Sequence, residues 1–252
     1  AGLCHRENKI IFPMKPLIIT QARMSSSRLP GKILMTVKGK SLLQYHIDGL
    51  KKCHIPIVIA TTTNSADHVI EIFSKENGLH CFRGDELDVL SRYYYAAVNY
   101  DADVIIRVTS DCPLIDGDLI TEGYETYADQ NDDQLFLSNT LERTFPRGFD
   151  YAIFSKKMLV EAHQLASSKY EREHVTPYFR ENNSNRFKLH NILSPINYNY
   201  LRVTLDTLED FNLIKKIIEK YHGTSLGYKE VLKLLSTHPD LIEINKNVKQ
   251  KE

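Results

Sequence analysis

The segment Gln21-Ala22-Arg23-Met24-Ser25-Ser26-Ser27-Arg28-Leu29-Pro30-Gly31-Lys32 concentrates cations among small residues. Two guanidinium forks and one compact ammonium suit the oxygens of a polyphosphate. The serines let the backbone turn tightly enough for several N–H groups to converge on one anion, and Pro30 and Gly31 set the bend. No Asp or Glu occurs from Lys15 to Ile47. A solvated basic loop would share this composition, but a loop this long in a compact domain usually has a function or is disordered. The order of residues is neither that of a P-loop nor that of a dinucleotide-binding turn.

Acids that could work beside such a loop lie far along the chain. Asp111 follows Val104-Ile105-Ile106-Arg107-Val108, and Asp206 follows Leu201-Arg202-Val203-Thr204-Leu205. Each ends an extended, apolar run. Mg²⁺ takes one or two carboxylates together with phosphate oxygens and water, so two such aspartates meeting near a triphosphate would serve it. Asp206, with Thr207 and Asp210 behind it, suits a helix cap equally well, and Asp111 suits an ordinary turn. Asp101-Ala102-Asp103 precedes a strand, and Asp116-Gly117-Asp118 reads as a helix start.

The elements that must position these residues alternate. Strands are expected at 17–20, 57–61, 80–82 and 103–108, with helices at 41–53, 66–77 and 87–100 between them. That alternation implies crossover connections and a largely parallel sheet, with ligands beyond the carboxyl ends of its strands. The second half is looser. It reads as helices at 119–128, 156–167, 171–180 and 208–221, strands at 135–138, 150–154 and 187–192, and an extended stretch at 201–205. No linker separates the halves, so 14–245 is expected to be one domain, after a leader at 1–13 and before a polar tail at 246–252.

The bulk numbers exclude other classes. With 32 basic and 32 acidic residues the chain has no global field to draw nucleic acid or an anionic membrane. No apolar run approaches the roughly 20 residues of a membrane span. The four cysteines form no C-x-x-C pair, which points to reduced thiols in the cytoplasm.

The motif Gln21–Lys32 resembles the N-terminal signature of the cytidylyltransferases that activate acidic sugars. The resemblance is greatest to the spore coat polysaccharide biosynthesis protein F family, with 3-deoxy-manno-octulosonate cytidylyltransferases more distant. It runs from about Lys15 to about Lys220. It extends to Phe82-Arg83-Gly84-Asp85-Glu86-Leu87-Asp88-Val89-Leu90-Ser91-Arg92-Tyr93, to Ser110-Asp111-Cys112-Pro113-Leu114-Ile115 and to Leu205-Asp206-Thr207-Leu208-Glu209-Asp210. Phe145–Asp150 and Tyr170–Tyr178 match later motifs. The family often has Pro where this chain has Leu208.

The resemblance implies a three-layer α/β/α sandwich with a mostly parallel mixed sheet, the Rossmann-like fold of the nucleotide-diphospho-sugar transferases. It implies CTP as co-substrate and Mg²⁺ held by Asp111 and Asp206. Ala22, Arg23, Met24, Ser25, Ser26, Arg28, Lys32, Arg83, Gly84 and Asp88 would bind the nucleotide, and Arg23, Lys32, Asp111 and Asp206 would carry catalysis. Arg147, Asp150, Arg172, Glu173 and His174 would meet the sugar, although a structural ion-pair cluster explains 171–174 nearly as well. The stretch 82–93 would lie near the nucleotide base; the alternative is that Asp85 caps a helix and Arg92 is a surface residue. His46, His54, His68 and His80 suggest no metal site. A homodimer is compatible with the family, but the sequence offers no interface for one. The expected reaction is nucleotidyl transfer to a sugar, a nonulosonic acid by resemblance, for surface-glycan synthesis. The competing readings are a sugar-1-phosphate nucleotidyltransferase using another triphosphate, a glycosyltransferase consuming a nucleotide sugar, and a nucleotide-binding module without turnover.

Overall fold

The computed structural model describes residues 14–221 and 227–250; the expected leader at 1–13 lies outside them. In chain order the elements are β1 (Pro16–Gln21), β2 (Thr36–Val37), β3 (Lys40–Ser41), α1 (Leu42–Lys51), β4 (Ile57–Thr62), α2 (His68–Glu76), β5 (His80–Gly84), α3 (Val89–Asn99) and β6 (Val104–Thr109). There follow α4 (Gly117–Gln130), β7 (Leu135–Ser138), β8 (Ala152–Ser155), α5 (Lys156–Leu165), α6 (Lys169–His174), α7 (Pro177–Glu181) and β9 (Lys188–Asn191). The chain continues with α8 (Leu208–Tyr221), α9 (Tyr228–Thr237) and α10 (Pro239–Ile242).

The main sheet has the order β5-β4-β1-β6-β8-β7-β9. β1, β4, β5 and β6 are parallel, β8 is antiparallel to both of its neighbours, and β9 is parallel to β7. Successive side chains of a strand face opposite sides, and the apolar residues sort accordingly. Ile18, Ile59, Ile106 and Leu137 face one core with α1, α4, α8 and α9. Ile19, Val58, Ile105 and Phe136 face the other with α3 and α5. Strands apolar on both sides need a helical layer on each, and the result is the three-layer α/β/α sandwich with a mixed, mostly parallel sheet.

The order of strand addition reverses at β1: β4 and β5 lie on one side of it and β6 on the other. Such a point opens a crevice at the strands' carboxyl ends. Gln21 pairs with Thr109, so β1 and β6 end at the same level. The cation-rich loop and the turn holding Asp111 therefore start side by side.

The second half differs from the sequence expectation in its helices: the one expected over 171–180 is divided, and α9 and α10 have no counterpart in that expectation. The helix expected over 171–180 is two short helices. Val175 adopts φ 67° between them, and Pro177 starts the second, as the lost N–H and fixed φ of proline favour. The stretch 201–205 forms no ladder; it makes one bridge, between Arg202 and Arg147. The polar tail is attached to the domain. The Lys249 carbonyl accepts from Arg28 Nη1 at 3.3 Å, and Gln250 Oε1 accepts from Arg202 Nη1 at 2.6 Å.

Gly148 locks the bridge. It sits at φ 116°, and a Cβ there would lie 2.7 Å from the Val203 carbonyl carbon and 2.8 Å from the Thr204 nitrogen. Neither backbone atom can move without shifting Asp206. Gly148→Ala is expected to destabilise the fold by about 2 kcal/mol or more, read as a lowered midpoint in urea unfolding; an unchanged midpoint would contradict the tight packing of this crossing.

Candidate active site

The loop after β1 is tied down from beneath. The Met24 N–H donates to Asp67 Oδ1 at 2.7 Å, and Asp67 also accepts the Thr62 hydroxyl. Glu86 gathers the next residues: it accepts from Ser25 Oγ at 2.6 Å, from Asn64 Nδ2 at 2.6 Å and from Arg23 Nη1 at 3.3 Å. The hydrogen bonds from Ser25 and Asn64, with Arg23 nearby, lower the Glu86 pKa. Gly31, at φ 69°, bends the chain into a short 3₁₀ turn, Lys32–Leu34, the left-handed conformation that glycine adopts without a Cβ penalty. That turn carries Lys32 inward.

Asp111 and Asp206 meet at the end of Lys32. Its Nζ lies 2.8 Å from Asp206 Oδ1 and 3.3 Å from Asp111 Oδ2. Two hydrogen bonds to the Asp111 carbonyl join the segments: the Leu205 N–H donates to it at 2.7 Å, and the Thr204 hydroxyl Oγ1 donates to it at 3.0 Å. Asp206 also receives Arg28 Nη2 at 3.0 Å and Arg202 Nη2 at 2.7 Å. Burial alone would lower the Lys32 pKa, but Asp111 and Asp206 outweigh it and the net shift is upward. Burial would raise the Asp206 pKa, but Lys32, Arg28 and Arg202 together hold it below the ordinary range.

The helix-cap alternative for Asp206 falls to its neighbour. Asp210 Oδ2 accepts the N–H groups of Asp206 and Thr207 at 3.0 and 3.1 Å. Asp210 is fully buried, and Asn245 and Arg202 fill its remaining acceptor capacity. The Asp206 carboxylate is thereby left for the site.

His46 fixes the other acid. Its Nδ1–H donates to the Cys112 carbonyl at 2.9 Å, since a carbonyl can only accept, and Nε2 therefore accepts from Thr20 Oγ1 at 2.9 Å. The ring ties α1 to β1 and to the turn next to Asp111. Burial, only partly offset by the Cys112 hydrogen bond and by Asp111, lowers its pKa to about 4.

A cleft of about 440 Å³ joins these parts, and Ala22, Arg23, Ser26, Arg28, Lys32, Asp111 and Asp206 border it. Glu173 and His174 reach the same cleft. Arg172 does not: it grips Asp88 through Nε at 3.0 Å and through Nη2, and donates to the His163 carbonyl. Asp88 in turn caps α3 by accepting from the Ser91 N–H at 2.9 Å. Arg83 turns away to the Thr62 and Asn64 carbonyls and to Glu71, each within 2.9 Å. Gly84 ends β5 where a Cβ would come within 2.7 Å of Arg92 Cγ. Asp150 is engaged by both arms of Arg143 at 2.7 Å. Arg147 borders a separate small pocket with Arg202 and Gln250.

Sequence reasoning passed over Arg92. It is 2% exposed rather than on the surface, and it borders the cleft. The signal was its spacing: Val89, Arg92, Tyr93, Ala96 and Ala97 form the buried stripe of α3, so an arginine occupies a core position.

A family profile described as Cytidylyltransferase matches residues 17–247. This chain belongs to the cytidylyltransferase family. It is a nucleotidyltransferase, built like a cytidylyltransferase of Leptospira borgpetersenii whose structure superposes with TM-score 0.86 at 32% identity, covering 95% of this chain and 100% of that one. An uncharacterized protein of Methanocaldococcus jannaschii is 34% identical over 94% of this cytidylyltransferase and 97% of its own length. The spore coat polysaccharide biosynthesis protein SpsF of Bacillus subtilis is 29% identical over 89% and 95%. Among the described residues no helix is long and apolar enough to cross a membrane.

The His46 geometry sets an acid limb for this enzyme. An unfolded histidine titrates near 6.5, so between about pH 6.5 and 4 the unfolded chain binds the extra proton. Stability then falls as pH falls through that window, by about 3 kcal/mol from this residue. In His46→Gln the slope of unfolding free energy against pH is expected to flatten between those limits; a slope equal to wild type would contradict the buried neutral ring.

Proposed function

We propose that this enzyme transfers the cytidylyl group of CTP to an acidic sugar with Mg²⁺, releasing pyrophosphate, and that the product feeds surface-polysaccharide synthesis. One observation carries the reading: Lys32 joins Asp111 and Asp206 at the cleft bordered by the Arg23–Arg28 loop. The likeness to a spore coat polysaccharide biosynthesis protein supports the glycan setting, and the motif resemblance to enzymes of acidic sugars supports the acceptor class.

The donor set fits Mg²⁺. Two adjacent carboxylates, with room beside them for phosphate oxygens and water, are the kind of site this ion takes. Bound to Asp111 and Asp206, it would supply Lewis-acid stabilisation of the charge that builds on the α-phosphate.

The chain's own groups do the rest. Lys32 holds the two acids together before the nucleotide arrives, and its ammonium then turns to a phosphate oxygen. Arg28 forks onto the departing phosphates, and Arg23, steadied by Glu86, does the same. A hydroxyl oxygen of the sugar attacks the α-phosphorus, and its proton passes to water in the cleft. The bond from that phosphorus to its bridging oxygen breaks, and pyrophosphate leaves with the electron pair. Positioning and fixed charge supply most of the acceleration. His174, which reaches the cleft, would meet the acidic end of the sugar, its pKa lowered by burial despite Glu173 beside it; Arg147 faces the separate pocket beside Arg202.

Pyrophosphate release with CTP, Mg²⁺ and a panel of sugar acids and sugar phosphates tests the reading directly. Turnover with a sugar acid and CTP is the expected outcome; turnover confined to sugar 1-phosphates, or to another triphosphate, would replace it. Lys32→Met and Asp111→Asn should each lower kcat by about 10²-fold or more while both proteins remain folded. Wild-type turnover in either would remove that residue from the mechanism.

A further inference from the structure

Among the described residues three cations touch Asp206: Lys32 at Oδ1, and Arg28 and Arg202 at Oδ2. Lys32 and Arg28 border the cleft, and Arg202 does not. During the proposed reaction Lys32 and Arg28 turn to phosphate oxygens, so the carboxylate keeps one of these partners. Arg202 is suited to that task. Its side chain is 8% exposed, and each nitrogen of its guanidinium has an acceptor. Nε donates to Asp210 Oδ1 at 2.9 Å, Nη2 donates to Asp210 Oδ2 at 3.1 Å as well as to Asp206, and Nη1 donates to Gln250 Oε1 at 2.6 Å. Asp210 is itself fixed: it is fully buried and accepts from Asn245 Nδ2 at 2.8 Å.

Asp210 holds the edge of the fork formed by Nε and Nη2. A planar group held along one edge can still tilt about it, and the tilt would carry Nη2 away from Asp206. The contact at Nη1 opposes that motion. It comes from segment 245–250, which Asn245 anchors by donating also to the Arg202 carbonyl at 3.1 Å. The Lys249 carbonyl, one residue before Gln250, accepts from Arg28 Nη1 at 3.3 Å, a contact that Arg28 gives up when it turns to the nucleotide. The segment thus has one link that lasts through binding and one that does not. Resting on the proposed metal role of Asp206, we propose that Arg202 is the positioning residue of the nucleotide-loaded enzyme, and that segment 245–250 sets its fork through Gln250 and Asn245. With Oδ2 pinned by Arg202, Asp206 keeps Oδ1 toward Asp111, the side on which Lys32 joins the two acids and on which they would share the ion. Groups that touch a metal ligand rather than the metal commonly carry about 10- to 100-fold in metal affinity.

Equilibrium binding of CTP to the full chain, with and without Mn²⁺, tests this; the readout is the factor by which Mn²⁺ tightens CTP. Arg202→Lys, which keeps the charge but not the fork, should lower that factor about 10-fold or more. Gln250→Leu, which removes the acceptor at Nη1, should lower it about threefold or more, and Gln250→Glu, which keeps an acceptor there, should restore it to within about twofold of wild type. CTP affinity without metal should stay near the wild-type value in each variant, because neither residue borders the phosphate cleft. A wild-type factor in either Arg202→Lys or Gln250→Leu would overturn the proposal; if affinity then fell equally with and without the metal, the residue would be a packing element. If Arg202→Lys does not fold, the Gln250 variants decide: equal factors in Gln250→Leu and Gln250→Glu would overturn it. A factor in Asp206→Asn as large as in wild type would instead overturn the underlying metal role of Asp206, whatever Arg202 does.

Discussion

The ammonium of Lys32 lies between two carboxylates that are 95 positions apart in the chain, and the site is organised around that contact. Two acids brought together in a half-buried cleft repel one another, and a cation between them cancels the repulsion. In a fully buried pair, removing one partner costs about 3–5 kcal/mol, because the other charge is left stranded. Lys32 and Asp206 are nearly buried, with side chains 11% and 14% exposed, so the contact should retain much of that strength. The cluster is also balanced. Arg28, Lys32 and Arg202 face Asp111, Asp206 and Asp210, so the ligand-free site is neither strongly cationic nor strongly anionic. A nucleotide and its cation can enter as a pair and redistribute these contacts without leaving a bare charge.

Much of the architecture serves to hold that contact. The pairing of Gln21 with Thr109 starts the loop and the Asp111 turn at one level. His46 secures the turn through the Cys112 carbonyl. The crossing of 147 and 202, closed by Gly148, delivers Asp206 from the far side, and Asp210 relieves it of helix capping. The tail returns over the same ground, with Asn245 on Asp210 and Gln250 on Arg202. Local signals do not reveal this last feature, because a polar C-terminal run reads the same whether it is solvated or satisfied by buried arginines.

The first half of the fold was legible because its signals are local: short apolar strands, amphipathic helices and Gly78 after α2. The site loop was legible for the same reason, since its charges and small residues are contiguous. The later part of the chain depends on long-range contacts. Val175 breaks a helical pattern at a positive φ that β-branching disfavours, so nothing in 171–180 announces the break except Pro177. The side-chain roles near β5 were the hardest. Arg83 and Arg92 are both arginines in one motif, yet one is engaged by carbonyls and Glu71 while the other is buried at the border of the cleft. Which is which depends on the register of β5 against β4 and on the rotation of α3, and composition carries neither. A charged residue within the apolar spacing of α3 was the one available clue.

The most direct test is a crystal structure of the chain with CTP and Mn²⁺, using anomalous scattering to locate the metal. The account predicts one strong peak coordinated by both Asp111 and Asp206, with Lys32 Nζ moved from the carboxylates to a phosphate oxygen. A metal bound elsewhere, with Lys32 still spanning the two acids while the triphosphate is in place, would contradict it.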